Sequence, residues 1–390
     1  DDFCAWYKGG KKQEGKRNIR NTSFIENEVV VHNKTAPRIK NLDEVGILDL
    51  SDFDTKSFPL VDGIIKGFNI IPAGRGCPFR CTFCLHIAWK EYSYRSVDFV
   101  IEEMVQRWKR YGIKLFFILD DTFAIFKERA IEFCKKLINE KYGFKWHISS
   151  RIPCMDEELL TLFKQAGCMQ ITYGVESLDD YTLKKIEKGY TARRVYEVIE
   201  MTNKVGMPIY VNLMTGFPWQ TVDSVYKDIN FVRKMGKYIN AFCSHAVLVP
   251  FPGTTIYEEY AIKEGFTGFW LRPKFQFAGI SMCQNVLNPY AVSTYWQRNL
   301  YDDTYVAEDY FFKFTKAYKR AVAYLGAHTG WNVVNATTKS WWQKYMRFSL
   351  GIASRLCYEF SPTLEKRIVG KISLKNRYHQ RRSTARYIKY

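Results

Sequence analysis

The sequence has no run of 18 or more apolar residues, the length a helix needs to cross the hydrocarbon of a bilayer, so no spanning helix is expected. It opens on Asp1-Asp2, with neither an initiator methionine nor a short apolar stretch behind a basic start. The pattern of a signal peptide is missing, and the reading is a fragment or a processed chain. A disulfide framework is missing too. Of the ten cysteines only Cys77, Cys81 and Cys84 cluster, while Cys4, Cys134, Cys154, Cys168, Cys243, Cys283 and Cys357 are scattered. That spread over 390 residues points to a reducing, cytoplasmic setting rather than a stapled secreted scaffold. Low hydrophobicity is absent as well: 47% apolar residues supply a core and exclude wholesale disorder.

Positive charge is abundant but unevenly placed. Residues 8–20 hold six Lys/Arg and one Glu, and residues 366–390 hold nine Lys/Arg and no acid, so the two runs carry +14 of the net +18. The middle of the chain is therefore not a basic nucleic-acid groove, and nucleic acid is a disfavoured partner. Runs of this kind are most often solvated; otherwise they suit an anionic membrane surface or RNA.

From about 61 to 265 one pattern repeats: apolar run, polar loop, amphipathic helix, glycine. The runs 68–73, 113–119, 144–148, 169–173, 209–214 and 243–249 are short and rich in β-branched and aromatic residues, as buried parallel strands are. Val97, Val100, Ile101, Met104, Val105 and Trp108 form one helical stripe, and Val222, Val225, Tyr226, Ile229 and Val232 form another behind Thr221, a predicted N-cap. Gly112, Gly143, Gly167, Gly206 and Gly236 sit where each helix should end. Six strands and five intervening helices predict a parallel α/β unit, either an open sheet or a partial barrel. The division read from this pattern is an N-terminal extension (1–60), a core (61–275) and a mainly helical C-terminal region (276–390). The last of these has 18 aromatics between 290 and 360, which suits helices packed on the core or over a bulky substrate.

In parallel α/β folds the chemistry gathers at the C-terminal ends of the strands. The residues that stand out fall at those ends: the cysteine loop after the first strand, Asp120-Asp121-Thr122 after the second and Ser149-Ser150-Arg151 after the third. Glu176-Ser177 follows the fourth, Gly216-Phe217-Pro218 the fifth, and Pro250-Phe251-Pro252-Gly253-Thr254 the sixth. Each also has a structural reading: Asp121 or Thr122 as a helix cap, Glu176 and Ser177 as a loop-to-helix cap, Arg151 as an ordinary ion-pair partner, Pro252-Gly253 as a turn.

The densest chemistry is Cys77-Pro78-Phe79-Arg80-Cys81-Thr82-Phe83-Cys84. Three thiols in a CxxxCxxC spacing suit a four-iron cluster with one iron left open. The competing reading is a closed Cys₃His zinc site with His86 as fourth ligand. The aromatic before the last cysteine and the preceding Gly74-Arg75-Gly76 decide between them: the stretch resembles the signature of the radical S-adenosylmethionine (SAM) enzymes.

That resemblance covers roughly 61–265 and implies a partial (β/α)₆ TIM-like barrel, a [4Fe–4S] cluster and SAM. In the family the SAM amino and carboxylate groups chelate the open iron, and one electron cleaves the sulfonium to a radical that abstracts hydrogen. By motif, Cys77, Cys81 and Cys84 would be the ligands and Phe83 would lie against the adenine. Asp120 or Asp121 stands where a GGE-type motif, absent here, receives the SAM amino group. Arg151 would take the SAM carboxylate, Glu176 or Ser177 the ribose or methionine moiety, and Asn212 and Gly216 the adenine edge. The strings Ile118–Phe123, Tyr173–Ser177 and Phe251–Thr254 resemble the cobalamin-binding branch, with its anaerobic Mg-protoporphyrin ester cyclase-like proteins and methyltransferases. Sixty residues leave no room for that branch's cobalamin domain: either the domain is lost from this fragment and cobalamin is a further cofactor, or the protein does not bind cobalamin. A small, apolar or tetrapyrrole-like substrate and an electron donor such as flavodoxin or ferredoxin are the implied partners.

Two other classes stand beside this reading: a tRNA-modifying methylthiotransferase, and a non-catalytic iron–sulfur or zinc module that binds RNA through the basic tails. The stripe Trp341, Tyr345, Phe348, Ile352 and Leu356, flanked by Lys344, Arg347 and Arg355, adds a membrane-surface contact for the C-terminal region, with packing on the core as the plainer alternative.

Overall fold

A computed structural model describes residues 2–260 apart from 11–12, 54–59, 62–63, 66–67, 86–90, 216, 218 and 249–250. The region 276–390, with its aromatic stripe and basic tail, lies outside the described residues, as do His86 and Gly216. The chain falls into two compact units that divide after Gly46.

The first unit carries a short helix, Asp2–Lys8, and an antiparallel hairpin of Ser23–Glu26 with Val29–His32. The two residues of the hairpin turn, Asn27 (φ 50°) and Glu28 (φ 65°), both take left-handed backbone, as a turn matched to the strand twist requires. Asn33 donates to the carbonyls of Lys16 and Ile19, and Arg20 pairs with Asp2.

The second unit is built on six parallel strands: β1 (Ile70–Pro72), β2 (Leu115–Leu119), β3 (Lys145–Ser150), β4 (Cys168–Glu176), β5 (Ile209–Thr215) and β6 (Ala241–Val247). Each pairs with the next in sequence, so the order runs β1 to β6 without reversal. The crossovers are made by α1 (Val97–Tyr111), α2 (Lys127–Glu140), α3 (Glu157–Gln165), α4 (Asp180–Lys185) with α5 (Ala192–Val205), and α6 (Val222–Met235). A short α7 (Thr255–Tyr260) follows β6. A doubly wound sheet reverses its strand order at a switch point. With no reversal the right-handed crossovers stack all helices on one face, which is the partial (β/α)₆ arrangement of a TIM-like barrel.

The strands differ from the two-sided apolar runs expected of them. In β5, Ile209, Val211, Leu213 and Thr215 are buried while Tyr210, Asn212 and Met214 are only half-buried. Ile209, Val211 and Leu213 share one core with Val195, Val198 and Ile199 of α5 and Val232 of α6. The alternate set faces away from the helices, into the barrel. The same alternation in β2 and β3 puts Phe117 and His147 side by side on that inner face, stacked at 4.7 Å. The helix-side core centres on Trp146, whose ring meets Phe133 and Phe163 edge-on and whose Nε1–H donates to the Ala166 carbonyl at 2.9 Å.

Helix ends follow the local chemistry. Ser96, Asp156, Asp179 and Thr221 accept from backbone N–H groups in the first turns of α1, α3, α4 and α6, and Thr221 forms a reciprocal capping box with Ser224. Gly112 and Gly206 close α1 and α5 in left-handed backbone as expected. Two expectations need correction. Lys141 (φ 52°), not Gly143, takes the left-handed cap of α2. Gly236 stays right-handed because a 3₁₀ turn, Gly236–Tyr238, continues from α6.

Candidate active site at the barrel rim

The chain leaves β1 and enters the cysteine loop between two fixed points. The Ala73 carbonyl accepts from Arg129 Nη2 (2.9 Å) and the Arg95 amide, and Gly74–Arg75 pairs with Ser93–Tyr94. Both glycines of Gly74-Arg75-Gly76 have a stated cause. A Cβ on Gly74 would lie 2.4 Å from Asp120 Oδ2, and Gly76 takes φ 83° while its N–H donates to Asp121 Oδ2 at 3.1 Å.

Beyond them the loop is held from three sides. Thr82 N–H donates to the Ile186 carbonyl (3.2 Å), and the Thr82 carbonyl accepts from Ile256 N–H of α7 (3.1 Å). Phe83 packs edge-on to Phe217. The turn Glu187–Gly189 that receives the loop has left-handed residues at Glu187 (φ 53°) and Gly189 (φ 74°).

Cys77 and Cys81 are buried, Cys84 is half-buried, and none is in a disulfide. Thr122 Oγ1 donates to Cys77 Sγ at 3.3 Å, and Arg151 Nη1 donates to Cys81 Sγ at 3.1 Å. Burial, reinforced by Cys81 and Cys77, pushes the Cys84 thiol up to about 11, with Lys188 opposing. Among the described residues no three His, Cys, Asp or Glu groups converge closely enough to hold one metal ion. Three soft thiol donors spread around a loop suit a cluster in which each thiolate binds its own iron.

The other predicted residues divide. Asp120 is buried and both its oxygens are occupied: Oδ1 accepts from Thr122 N–H (2.8 Å), Oδ2 from Tyr92 OH (2.7 Å) and Arg129 Nη1 (3.4 Å). Burial raises its pKa in spite of these partners and also raises that of Tyr92. Asp121, by contrast, is exposed at the rim beside Cys84.

Arg151 faces the cysteine loop. Its guanidinium lies 3.7 Å from the centre of the Phe79 ring, Nη2 donates to the Lys188 carbonyl, and Nε is buried without a partner, as is Ser150 Oγ. Glu176 sits in a β4 bulge with φ 66° and accepts from buried Lys188 Nζ at 3.2 Å. Ser177 turns the other way, donating to Asp228 Oδ1 of α6 at 3.2 Å. Asp228 is wholly buried and pushed up to about 8 by that burial. Asn212 lies on the inner face, in register with Gly174 of β4.

Sequence reasoning missed Lys188, Phe79, Tyr92, Arg129 and Asp228. Lys188 follows a helix rather than a strand end, and Arg129 lies inside α2, so neither carried a rim signal. Phe79, inside the CxxxCxxC motif itself, was the one that spacing could have exposed.

Residues 71–232 match the model of the radical SAM superfamily. The chain is 32% identical over 250 residues to an uncharacterized methyltransferase of Pyrococcus horikoshii, covering 63% of this chain and 52% of that one. It is 25% identical over 241 residues to the anaerobic magnesium-protoporphyrin IX monomethyl ester cyclase of Rubrivivax gelatinosus, covering 60% and 42%. The chain thus spans about half the length of these relatives. A solved structure of the cobalamin-dependent S-adenosylmethionine radical enzyme OxsB with aqua-cobalamin bound shares the fold, with a TM-score of 0.56 at 14% identity over 92% of this chain and 54% of that one. The cysteine loop thus lies at the rim of a six-stranded parallel sheet and inside residues 71–232, the stretch that matches the radical SAM superfamily.

Proposed function

We propose that this chain is the core of a radical SAM enzyme that acts on a small organic molecule, and that Cys77, Cys81 and Cys84 hold its [4Fe–4S] cluster. The observation that carries this reading is the rim itself: three thiols on one loop, beside a buried guanidinium and two buried polar atoms, Ser150 Oγ and Arg151 Nε, that lack protein partners. Unfilled buried polar atoms are costly, and a charged cluster with a zwitterionic cosubstrate would supply what they lack. When bound, the cluster and SAM supply reductive cleavage of a sulfonium and so a source of hydrogen-atom abstraction.

The protein's part is to bind, orient and exclude water. Asp121, rather than the saturated Asp120, would receive the SAM amino group. Glu176 would face the ribose or methionine end. Ser177, engaged by Asp228, would act through the loop it braces. Phe83 and Asn212 would border the adenine. The inner face of Phe117, His147 and Met214 is apolar and aromatic enough to shelter a reactive intermediate from water.

The names of the relatives favour methylation or cyclisation on a bulky, apolar or tetrapyrrole-like substrate, with cobalamin as a further cofactor; a flavodoxin- or ferredoxin-like protein would supply the electron. Among the described residues no helix is long and apolar enough to cross a membrane. A peripheral membrane contact through residues 341–390 would show as liposome co-sedimentation that is lost when they are deleted.

The deciding experiment is EPR of the anaerobically reconstituted, dithionite-reduced protein with and without SAM. A [4Fe–4S]⁺ signal that shifts with SAM and disappears in Cys81→Ala is expected. Tightly held zinc, or a cluster indifferent to SAM, would sink the proposal.

A further inference from the structure

Lys188 and Arg151 are the two buried cations at the cysteine loop, and they differ in one respect. Lys188 is neutralised by Glu176 at 3.2 Å. Arg151, 7% exposed, has no carboxylate partner among the described residues. Its charge is spent instead on Cys81 Sγ at 3.1 Å, on the Lys188 carbonyl and on the Phe79 ring face at 3.7 Å, with Nε left over. A buried guanidinium without a counter-charge is strongly unfavourable. The nearest group able to become an anion is the Cys81 thiol, which must lose its proton to ligate iron.

We infer that Arg151 is a positioning residue for the cluster: the buried counter-charge of the Cys81 thiolate, which sets the cluster's reduction potential. The inference rests on the proposed [4Fe–4S] site and deepens it. Three thiolates on a four-iron cube leave net negative charge, and reduction adds one more. A fixed cation with an N–H aimed at a ligand sulfur stabilises the reduced state more than the oxidised one, since hydrogen bonds to the sulfurs and net charge are what set such potentials. The geometry is built for this. Phe79, two residues before Cys81, holds its ring face 3.7 Å from the guanidinium carbon, and a cation that faces a ring while offering a forked donor is what an arginine supplies and a lysine does not. The fork spans Cys81 Sγ and the Lys188 carbonyl, so it also pins the loop to the turn after α4. The other hydrogen bond recorded at the Cys81 sulfur, its S–H to the Glu187 carbonyl at 3.8 Å, vanishes on deprotonation. Arg151 is then left as the donor.

The test is a potentiometric EPR titration of the reconstituted protein, together with iron and sulfide content and SAM affinity. Arg151→Gln is expected to move the midpoint to more negative potential at unchanged iron content, and Arg151→Lys to recover part of the shift. An unmoved midpoint in a fully loaded Arg151→Gln overturns the inference. So does a weakened SAM affinity with an unmoved midpoint, which would make Arg151 the receiver of the SAM carboxylate instead. Should Arg151→Gln fail to load iron, Phe79→Leu, which removes only the ring face, is measured in its place. A smaller negative shift supports the inference, and none overturns it. A wild-type protein that binds no iron would overturn the cluster proposal itself, and that outcome is distinct from all of these.

Discussion

Two buried cation–carboxylate networks stand at the same rim and are built on opposite principles. In the Asp120–Tyr92–Arg129 network, both oxygens of the carboxylate are taken, and the guanidinium also holds the Arg95 and Ala73 carbonyls. In the Glu176–Lys188–Arg151 network, the arginine lacks a carboxylate, and both its Nε and the adjacent Ser150 Oγ lack partners. The first network is closed and reads as scaffold: it fixes the end of β1 from which the cysteine loop departs. The second is open toward the thiols. Saturation, rather than burial or charge, separates the group that holds the fold from the group that awaits a ligand.

The sharpest way to break this comparison is to remove the two arginines in turn. Arg129→Met should cost about 3–5 kcal/mol, because it strands the buried Asp120 carboxyl and leaves the Ala73 carbonyl short of a donor. Chemical denaturation of the cluster-free protein measures it. Gly74→Ala should cost about 1–3 kcal/mol in the same assay, since its Cβ would overlap Asp120 Oδ2 and the backbone there cannot give way without moving the closed network.

A third prediction concerns the support behind the second network. Asp228, beneath Ser177, has its folded pKa raised from the ordinary carboxylate value to about 8 by burial. A folded pKa above the unfolded one means that the native state binds the extra proton. Stability is therefore full below the unfolded pKa of about 4 and declines as pH rises toward 8. Asp228→Asn cannot ionise, so the fall in Tm between pH 5 and 8 should shrink by at least about 1 °C, the equivalent of roughly 1 kcal/mol in a chain of 390 residues. An undiminished slope would show that Asp228 does not titrate there.

The smallest effect is expected at Arg151. Arg151→Gln should change the stability of the cluster-free protein by less than about 1 kcal/mol, because part of its hydrogen-bonding capacity is already unmet. A loss as large as that of Arg129→Met would make both networks scaffold.

These contrasts also explain what could be read in advance. The cysteine spacing and the alternation of apolar runs with amphipathic helices were legible because both are local patterns. Val97–Tyr111 and Val222–Met235 formed where their stripes lay, and Thr221 capped as expected. The roles at strand ends were legible only as positions. Asp120 and Asp121 are neighbours of the same type, yet one is locked by Tyr92 and Arg129 and the other is exposed at the rim. Glu176 and Ser177 are likewise adjacent, and a bulge with left-handed backbone at Glu176 turns them to different partners. Arg151 was expected to meet a carboxylate. Nothing in the sequence could reveal that the ring of Phe79, 72 positions earlier, faces its guanidinium at 3.7 Å.

The sequence by itself determined that this is a parallel α/β chain with a three-thiol loop after its first strand, because hydrophobic periodicity and residue spacing act over a few residues and need no knowledge of the whole. Tertiary structure alone decided that the strand order never reverses, which rim carboxylate is saturated, and which buried cation is left facing the thiols. Those outcomes depend on contacts between segments far apart in sequence, where burial sets the cost of every unpaired charge and only the closed geometry shows which charges find a partner.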